Sequence, residues 1–213
     1  MGSRLRYAVF DLDNTVYPPS CGLMKEIGNR IDLFMAQRLG IPPEEVGRTR
    51  EDFLRAFGTT LNALRRYHAV DPDEFLAFVH DIPLGRYLRY DGALDRMLGR
   101  LDLGKAVFTN ADAHHARRVL ARLGVLRHFE WIIDIHMLDF VNKPDRRAYL
   151  KALDLVGAQP EECLMVEDSL KNASAALEIG MTTVLGGEGP GPDGAHRRIA
   201  RLTDLESVLE SRT

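Results

Sequence analysis

Cysteine is scarce in this chain: among 213 residues only Cys21 and Cys163 occur, far apart and in no Cys-x-x-Cys or zinc-type spacing. That excludes a disulfide framework and fits a reducing compartment. No apolar run approaches the roughly 20 residues that would cross a bilayer. The opening residues enter a strand pattern almost at once, without the apolar core or cleavage site of a signal peptide. A cytoplasmic chain with no membrane partner is therefore expected. Neither sign of charge dominates: 28 Lys and Arg stand against 31 Asp and Glu, for a net charge of -3. Such a balance argues against a nucleic-acid or membrane-surface binder. Internal repeats and low-complexity tracts are absent, and the length allows one core with a modest insertion.

What is present concentrates first in Tyr7-Ala8-Val9-Phe10-Asp11-Leu12-Asp13-Asn14-Thr15. An apolar run long enough for one buried strand ends in two carboxylates at positions i and i+2. Strand side chains alternate, so a regular strand would send Asp11 and Asp13 to the same face. Two such acids repel unless a cation sits between them or one holds a proton. The pair suits a divalent ion, or a nucleophile beside a general acid/base.

Beyond Asp13 the strand pattern gives way to helical periodicity. Leu23, Ile27, Ile31, Phe34, Met35 and Leu39 form one apolar face, stopped by Gly40 and Pro42-Pro43. A second helix starts at Glu44 and breaks at Gly58, and two short ones follow around Leu61–Leu64 and Phe75–Val79. Residues 17–90 thus read as an all-helical insertion. An α/β rhythm then resumes. Strands are predicted over Lys105–Thr109, Trp131–Ile135, Cys163–Val166 and Thr182–Leu185, with helices over Asp112–Leu123, Asp145–Val156 and the stretch reaching Ile179-Gly180. Unbroken apolar strands alternating with helices indicate a mostly parallel sheet covered on both faces. Gly186–Gly194 holds five glycines and two prolines and reads as a mobile surface loop. Thr203-x-x-Glu206 is a capping-box candidate for a last helix.

Polar residues stand at the strand ends: Asp11-x-Asp13, Thr109-Asn110 and Glu167-Asp168-Ser169, with Lys143-Pro144 in the loop after the third strand. Pro144 suits the first turn of the following helix. In a parallel sheet these ends converge on one edge, where ligands bind. Together they suit phosphoryl chemistry. Asp11 would attack phosphorus and form an aspartyl-phosphate, while Asp13 protonates the leaving oxygen and later activates water. Mg2+ would be held by Asp11, Asp168 and the Asp13 carbonyl. Thr109, Asn110 and Lys143 would neutralise the phosphoryl oxygens. Taken singly, Thr109 could cap the next helix, Lys143 could be a solvated charge, and Glu167-Asp168 could serve a helix dipole.

Across nearly its whole length the chain resembles the haloacid dehalogenase superfamily of phosphohydrolases. Asp11-Leu12-Asp13-Asn14-Thr15 is similar to that family's first motif, Thr109 to the second, Lys143 to the third, and Glu167-Asp168-Ser169-Leu170-Lys171-Asn172 to the metal-binding fourth. Many members carry Gly or Asp where Glu167 stands, which leaves Asp168 as the expected ligand. The resemblance implies an α/β fold, a Rossmann-like three-layer sandwich with a mostly parallel sheet. It assigns residues 1–16 and 91–213 to the catalytic core and 17–90 to an inserted helical cap. True dehalogenases lack the second acid, so Asp13 points to a phosphate enzyme. A narrower likeness, to the pyrimidine 5′-nucleotidase-like branch, rests on Tyr17-Pro18-Pro19, Gly58-Thr59-Thr60-Leu61, Val79-His80-Asp81-Ile82 and Phe108-Thr109-Asn110-Ala111-Asp112. The expected reaction is Mg2+-dependent hydrolysis of a small phosphorylated metabolite, a nucleoside 5′-monophosphate. A sugar-phosphate phosphatase, a phosphomutase and a catalytically silent phosphate-binding protein stand as alternatives.

Overall fold

Tyr7–Phe10 forms β1 at the centre of a parallel sheet in the computed structural model, which describes residues 5–187 and 197–210. The other described strands are β2 (Gly104–Phe108), β3 (Trp131–Ile133), β4 (Cys163–Glu167), β5 (Thr182–Gly186) and β6 (Arg197–Ile199). Their order is β3-β2-β1-β4-β5-β6, every pairing parallel. Phe10 lies level with Val107 on one side and Val166 on the other, so Asp11 leaves the sheet beside the ends of β2 and β4.

Both faces are covered, which explains the unbroken apolar strands. Ala8, Phe10, Val107 and Val166 pack on one face against α5 (Gly92–Arg100), α6 (Ala113–Leu123) and Leu205 of α9 (Leu205–Glu210). Val9, Phe108 and Met165 pack on the other against α7 (Arg146–Val156) and α8 (Leu170–Glu178). Burying each large apolar side chain of this kind contributes about 1.5–3 kcal/mol.

Between β1 and β2 the chain is helical. α1 (Leu23–Leu39), α2 (Pro43–Phe57), α3 (Thr60–His68) and α4 (Pro72–His80) gather a separate core around Phe34, Met35, Leu64, Phe75 and Val79. Gly40 and Gly58 close α1 and α2 in the left-handed conformation that a side chain resists. Thr59 and Asp71 cap α3 and α4 with their side chains.

Some expectations need correction. β3 stops at Ile133 rather than Ile135, because Asp134 turns aside to accept from the backbone N–H groups of Ala113 and Met137. Pro144 precedes the cap of α7 instead of entering its first turn: Asp145 is the cap, and the Lys143–Pro144 peptide is cis. Thr203 lies in a 3-10 turn, Leu202–Asp204, and α9 begins only at Leu205; Glu206 pairs with Arg100 rather than closing a box. Helix α5 has no counterpart among the expected elements, although Leu94, Met97, Leu98 and Leu101 carry its spacing and Asp91 caps it. Of the glycine-rich loop, Gly186 ends β5, and 188–194 lie outside the described residues.

Candidate active site

The sheet's carboxyl edge collects four charged side chains from three distant stretches of the chain: Asp11, Lys143 and the adjacent Glu167 and Asp168. Asp11 extends the ladder by one more bond, its N–H donating to Val166 O at 2.9 Å. Lys143 is 2% exposed, and its Nζ donates to Asp11 Oδ1 at 2.6 Å and to Glu167 Oε2 at 2.7 Å. The ammonium also lies 5.1 Å from the centre of the Phe108 ring. Thr15 Oγ1 donates to the other Asp11 oxygen at 3.1 Å.

Loop geometry aims the lysine. Asn110 Oδ1 accepts from the Lys143 N–H at 2.9 Å, and its Nδ2 donates to Lys143 O at 3.2 Å. Asn142 Nδ2 donates to the same carbonyl at 2.7 Å while its Oδ1 accepts from Asn62 of α3 at 2.6 Å. The Asn110 amide thus grips the Lys143 backbone at both ends. Thr109 is buried, its Oγ1 accepting from the Ala111 N–H at 3.0 Å, and the cap of α6 is Asp112 rather than Thr109.

Asp11, Glu167 and Asp168 each offer an oxygen, all within 4.8 Å of one another. Three carboxylates, when ionised, face one ammonium there, leaving two negative charges unbalanced. A divalent cation balances them, and an all-oxygen donor set suits a hard ion such as magnesium. Burial, then the charge of Glu167, push Asp11 up to about 7 despite Lys143. Burial also raises Glu167 and Asp168. Burial alone would lower Lys143, but Asp11 and Glu167 outweigh it and hold the ammonium charged.

Asp13 has different neighbours. The strand ends at Phe10 and the chain turns through a left-handed Asn14, φ 61°, so the face alternation expected from a longer strand does not reach it. Its carboxylate stands outside the acidic cluster, accepting from the Tyr17 hydroxyl and lying 3.5 Å from His115 Nε2. Burial would raise its pKa; the contacts with His115 and Tyr17 prevail and keep it below the usual carboxylate range.

His80 of α4 is tied to residues of the α/β core: its Nδ1 meets Asp112 Oδ2 at 2.5 Å and its ring stacks on His115. Burial keeps His80 below its usual pKa. Burial pushes Asp112 the opposite way, but its hydrogen bond from His80 holds it ionised. His115 was not singled out from the sequence; the one available signal was its place three residues after the capping Asp112.

A model of haloacid dehalogenase-like hydrolases matches residues 5–180. Phosphate metabolism protein 8 of Saccharomyces cerevisiae is 28% identical over 191 residues, covering 83% of this chain, which spans 60% of the yeast protein's length. Glyceraldehyde 3-phosphate phosphatase of Methanopyrus kandleri is 24% identical over 84% of this chain and 83% of its own. Among solved structures, a 2-haloacid dehalogenase from Pseudomonas syringae superposes with a TM-score of 0.65 at 21% identity, over 98% of this chain and all of the other, which is a likeness of fold. With a family model covering most of its length and the four motifs meeting at one sheet edge, this chain belongs to the haloacid dehalogenase-like hydrolases.

Proposed function

We propose that the protein is a magnesium-dependent phosphomonoesterase that works through an aspartyl-phosphate on Asp11. The observation that carries this reading is the Lys143 ammonium clamped between Asp11 and Glu167 at a sheet edge where Asp168 completes an acidic cluster. The fold is shared with a dehalogenase, so fold alone does not choose the reaction. The second acid, Asp13, favours phosphate esters, whose leaving alkoxide needs a proton.

Asp11 attacks phosphorus; the P–O bond to the alcohol breaks as Asp13 supplies a proton to the departing oxygen. Asp13 then takes a proton from the water that cleaves the acyl phosphate, which returns Asp11 and frees inorganic phosphate. Asp13 is ionised in the ligand-free site, and a phosphate dianion arriving beside it raises its proton affinity. Lys143 neutralises a phosphoryl oxygen, Asn110 fixes the lysine backbone, and Thr109 shapes the phosphate pocket. A divalent cation held by Asp11, Asp168 and Glu167 or the Asp13 carbonyl would screen nucleophile from phosphate.

The substrate is read as a small phosphorylated metabolite, a nucleoside 5′-monophosphate, on the likeness of the segments around Tyr17, Gly58 and His80 to nucleotidases. Residues 17–90 serve as the cap that sets specificity. The Methanopyrus relative's name favours a second reading, a short sugar phosphate. Phosphate release from pyrimidine monophosphates, sugar phosphates and an aryl phosphate, with magnesium and with chelator, separates them. Chelator-sensitive release concentrated on pyrimidine monophosphates supports the first, and release concentrated on triose phosphate the second. No release from any ester contradicts the phosphatase reading.

A further inference from the structure

The surroundings of Asp13 hold more than the reaction above uses. Tyr17, 1% exposed, donates its hydroxyl to Asp13 Oδ1. His115 Nε2 approaches that same oxygen to 3.5 Å; the His115 side chain is wholly buried, and neither ring nitrogen makes a hydrogen bond. The His115 ring stacks on His80 with centroids 4.0 Å apart and planes 18° apart. Asp112 ties both histidines down, Oδ2 on His80 Nδ1 at 2.5 Å and Oδ1 on the His115 N–H at 2.8 Å. Arg118 in turn donates to the His80 and Ile82 carbonyls, both at 2.8 Å, holding the end of α4 in place. All the polar groups that reach Asp13 converge on Oδ1; among the described residues no hydrogen bond reaches Oδ2.

We propose that Tyr17, backed by the His115–His80–Asp112 stack, is a positioning residue that fixes Asp13 by Oδ1 and reserves Oδ2 for proton exchange with the substrate. A carboxylate free to turn about its last bond offers either oxygen and loses time in unproductive orientations; one gripped by a buried phenol does not. The proton on Oδ2 passes to the ester oxygen as its bond to phosphorus breaks, and a water proton returns to Oδ2 in the second half-reaction. The Tyr17 proton stays on Tyr17 throughout. The inference rests on the phosphomonoesterase reading, with Asp13 as its acid/base.

Leaving-group dependence tests it. An alkyl phosphate expels a poor leaving group and needs the proton, whereas 4-nitrophenyl phosphate expels a good one and barely does. In Tyr17→Phe, which keeps the ring and loses only the hydroxyl, kcat/KM for the alkyl ester should fall roughly 10- to 100-fold, part of the roughly 10²–10⁴-fold that a positioned general acid supplies. For 4-nitrophenyl phosphate it should change by less than about threefold, which also certifies the fold of the variant. His80→Phe, which retains the stack and loses the Asp112 bond, should show the same selectivity more weakly. Equal losses on both esters would mean a structural role and overturn the proposal, as would an unchanged alkyl rate. A wild-type protein that cleaves neither ester removes the underlying reading and this inference with it.

Discussion

Asp11 and Asp13 are two positions apart and sit in surroundings built from different parts of the chain. The hydrogen-bond partners of Asp11 among the described residues belong to the sheet and its adjoining loops: Thr15, Lys143 and the β4 backbone, with Glu167 on the far side of the same ammonium. Asp13 instead depends on Tyr17 and on a histidine stack half supplied by α4, outside the sheet. The electrostatic outcomes are opposite. Burial and Glu167 raise Asp11 to about 7, while His115 and Tyr17 overcome burial to hold Asp13 low. The acid cluster is complete within the α/β core; the setting of the second acid is complete only with α4 docked. A divalent ion beside Asp11 would restore its nucleophilic, ionised form, since a bound cation outweighs the other local charges.

The largest effect that sharpens this contrast is expected from Asp11→Asn. Turnover should drop roughly 10⁴-fold or more, with folding intact. The raised pKa fixes the sign of a stability effect in chelated protein. A carboxyl raised from 3.8 to about 7 is stabilising when protonated, and that contribution is lost as pH climbs between those values. Urea unfolding should therefore show the variant gaining on the wild type across that window. A constant difference between the two would contradict the assigned environment.

Lys143→Met should come next. Stranding buried carboxylates without their cation costs about 3–5 kcal/mol, and losing the charge should lower kcat/KM by roughly 10²–10³-fold. Near-native stability in urea would show that the acids find another partner. At Gly58, φ is +75° and an added Cβ would meet Asn142 Nδ2 at 2.4 Å. Gly58→Ala should cost about 1–3 kcal/mol of stability and lower turnover, because Asn142 holds the Lys143 carbonyl. Stability loss with full activity would separate the α2–α3 turn from the site.

The smallest effect lies away from both acids. His128 and Arg127 bonds hold Asp95 down at about 2. Its contribution to stability is present above the ordinary carboxyl pKa and fades as pH falls toward 2. The stability advantage of wild type over Asp95→Asn should therefore shrink as pH falls through that range, with phosphate release unchanged by the substitution. A drop in release would tie α5 to the chemistry.

Much of this was legible in the sequence where local chemistry and the sheet agree. The apolar run before Asp11 had to be a central strand, and Gly40, Gly58, Gly124 and Gly157 end their helices as left-handed caps. Strand-end polarity brought Asp11, Lys143 and Asp168 together because a parallel sheet has one carboxyl edge. The role of Glu167 is not legible in the same way, since nothing in a linear pattern shows that Lys143 must bridge two carboxylates. The His80–His115 stack joins two helices through rings 35 positions apart. No periodicity encodes it, because each histidine alone reads as an ordinary helix residue. β6 is short and follows a glycine-rich tract, so its sequence carried no strand signal of its own.

The most direct test of the central claim is to mix enzyme, magnesium and substrate, quench in acid within a turnover, reduce with borohydride and map the peptides by mass spectrometry. The account predicts homoserine in place of Asp11, the product of reducing an aspartyl-phosphate, and unmodified Asp13. Turnover without modification at Asp11, or modification at another carboxylate, would contradict it.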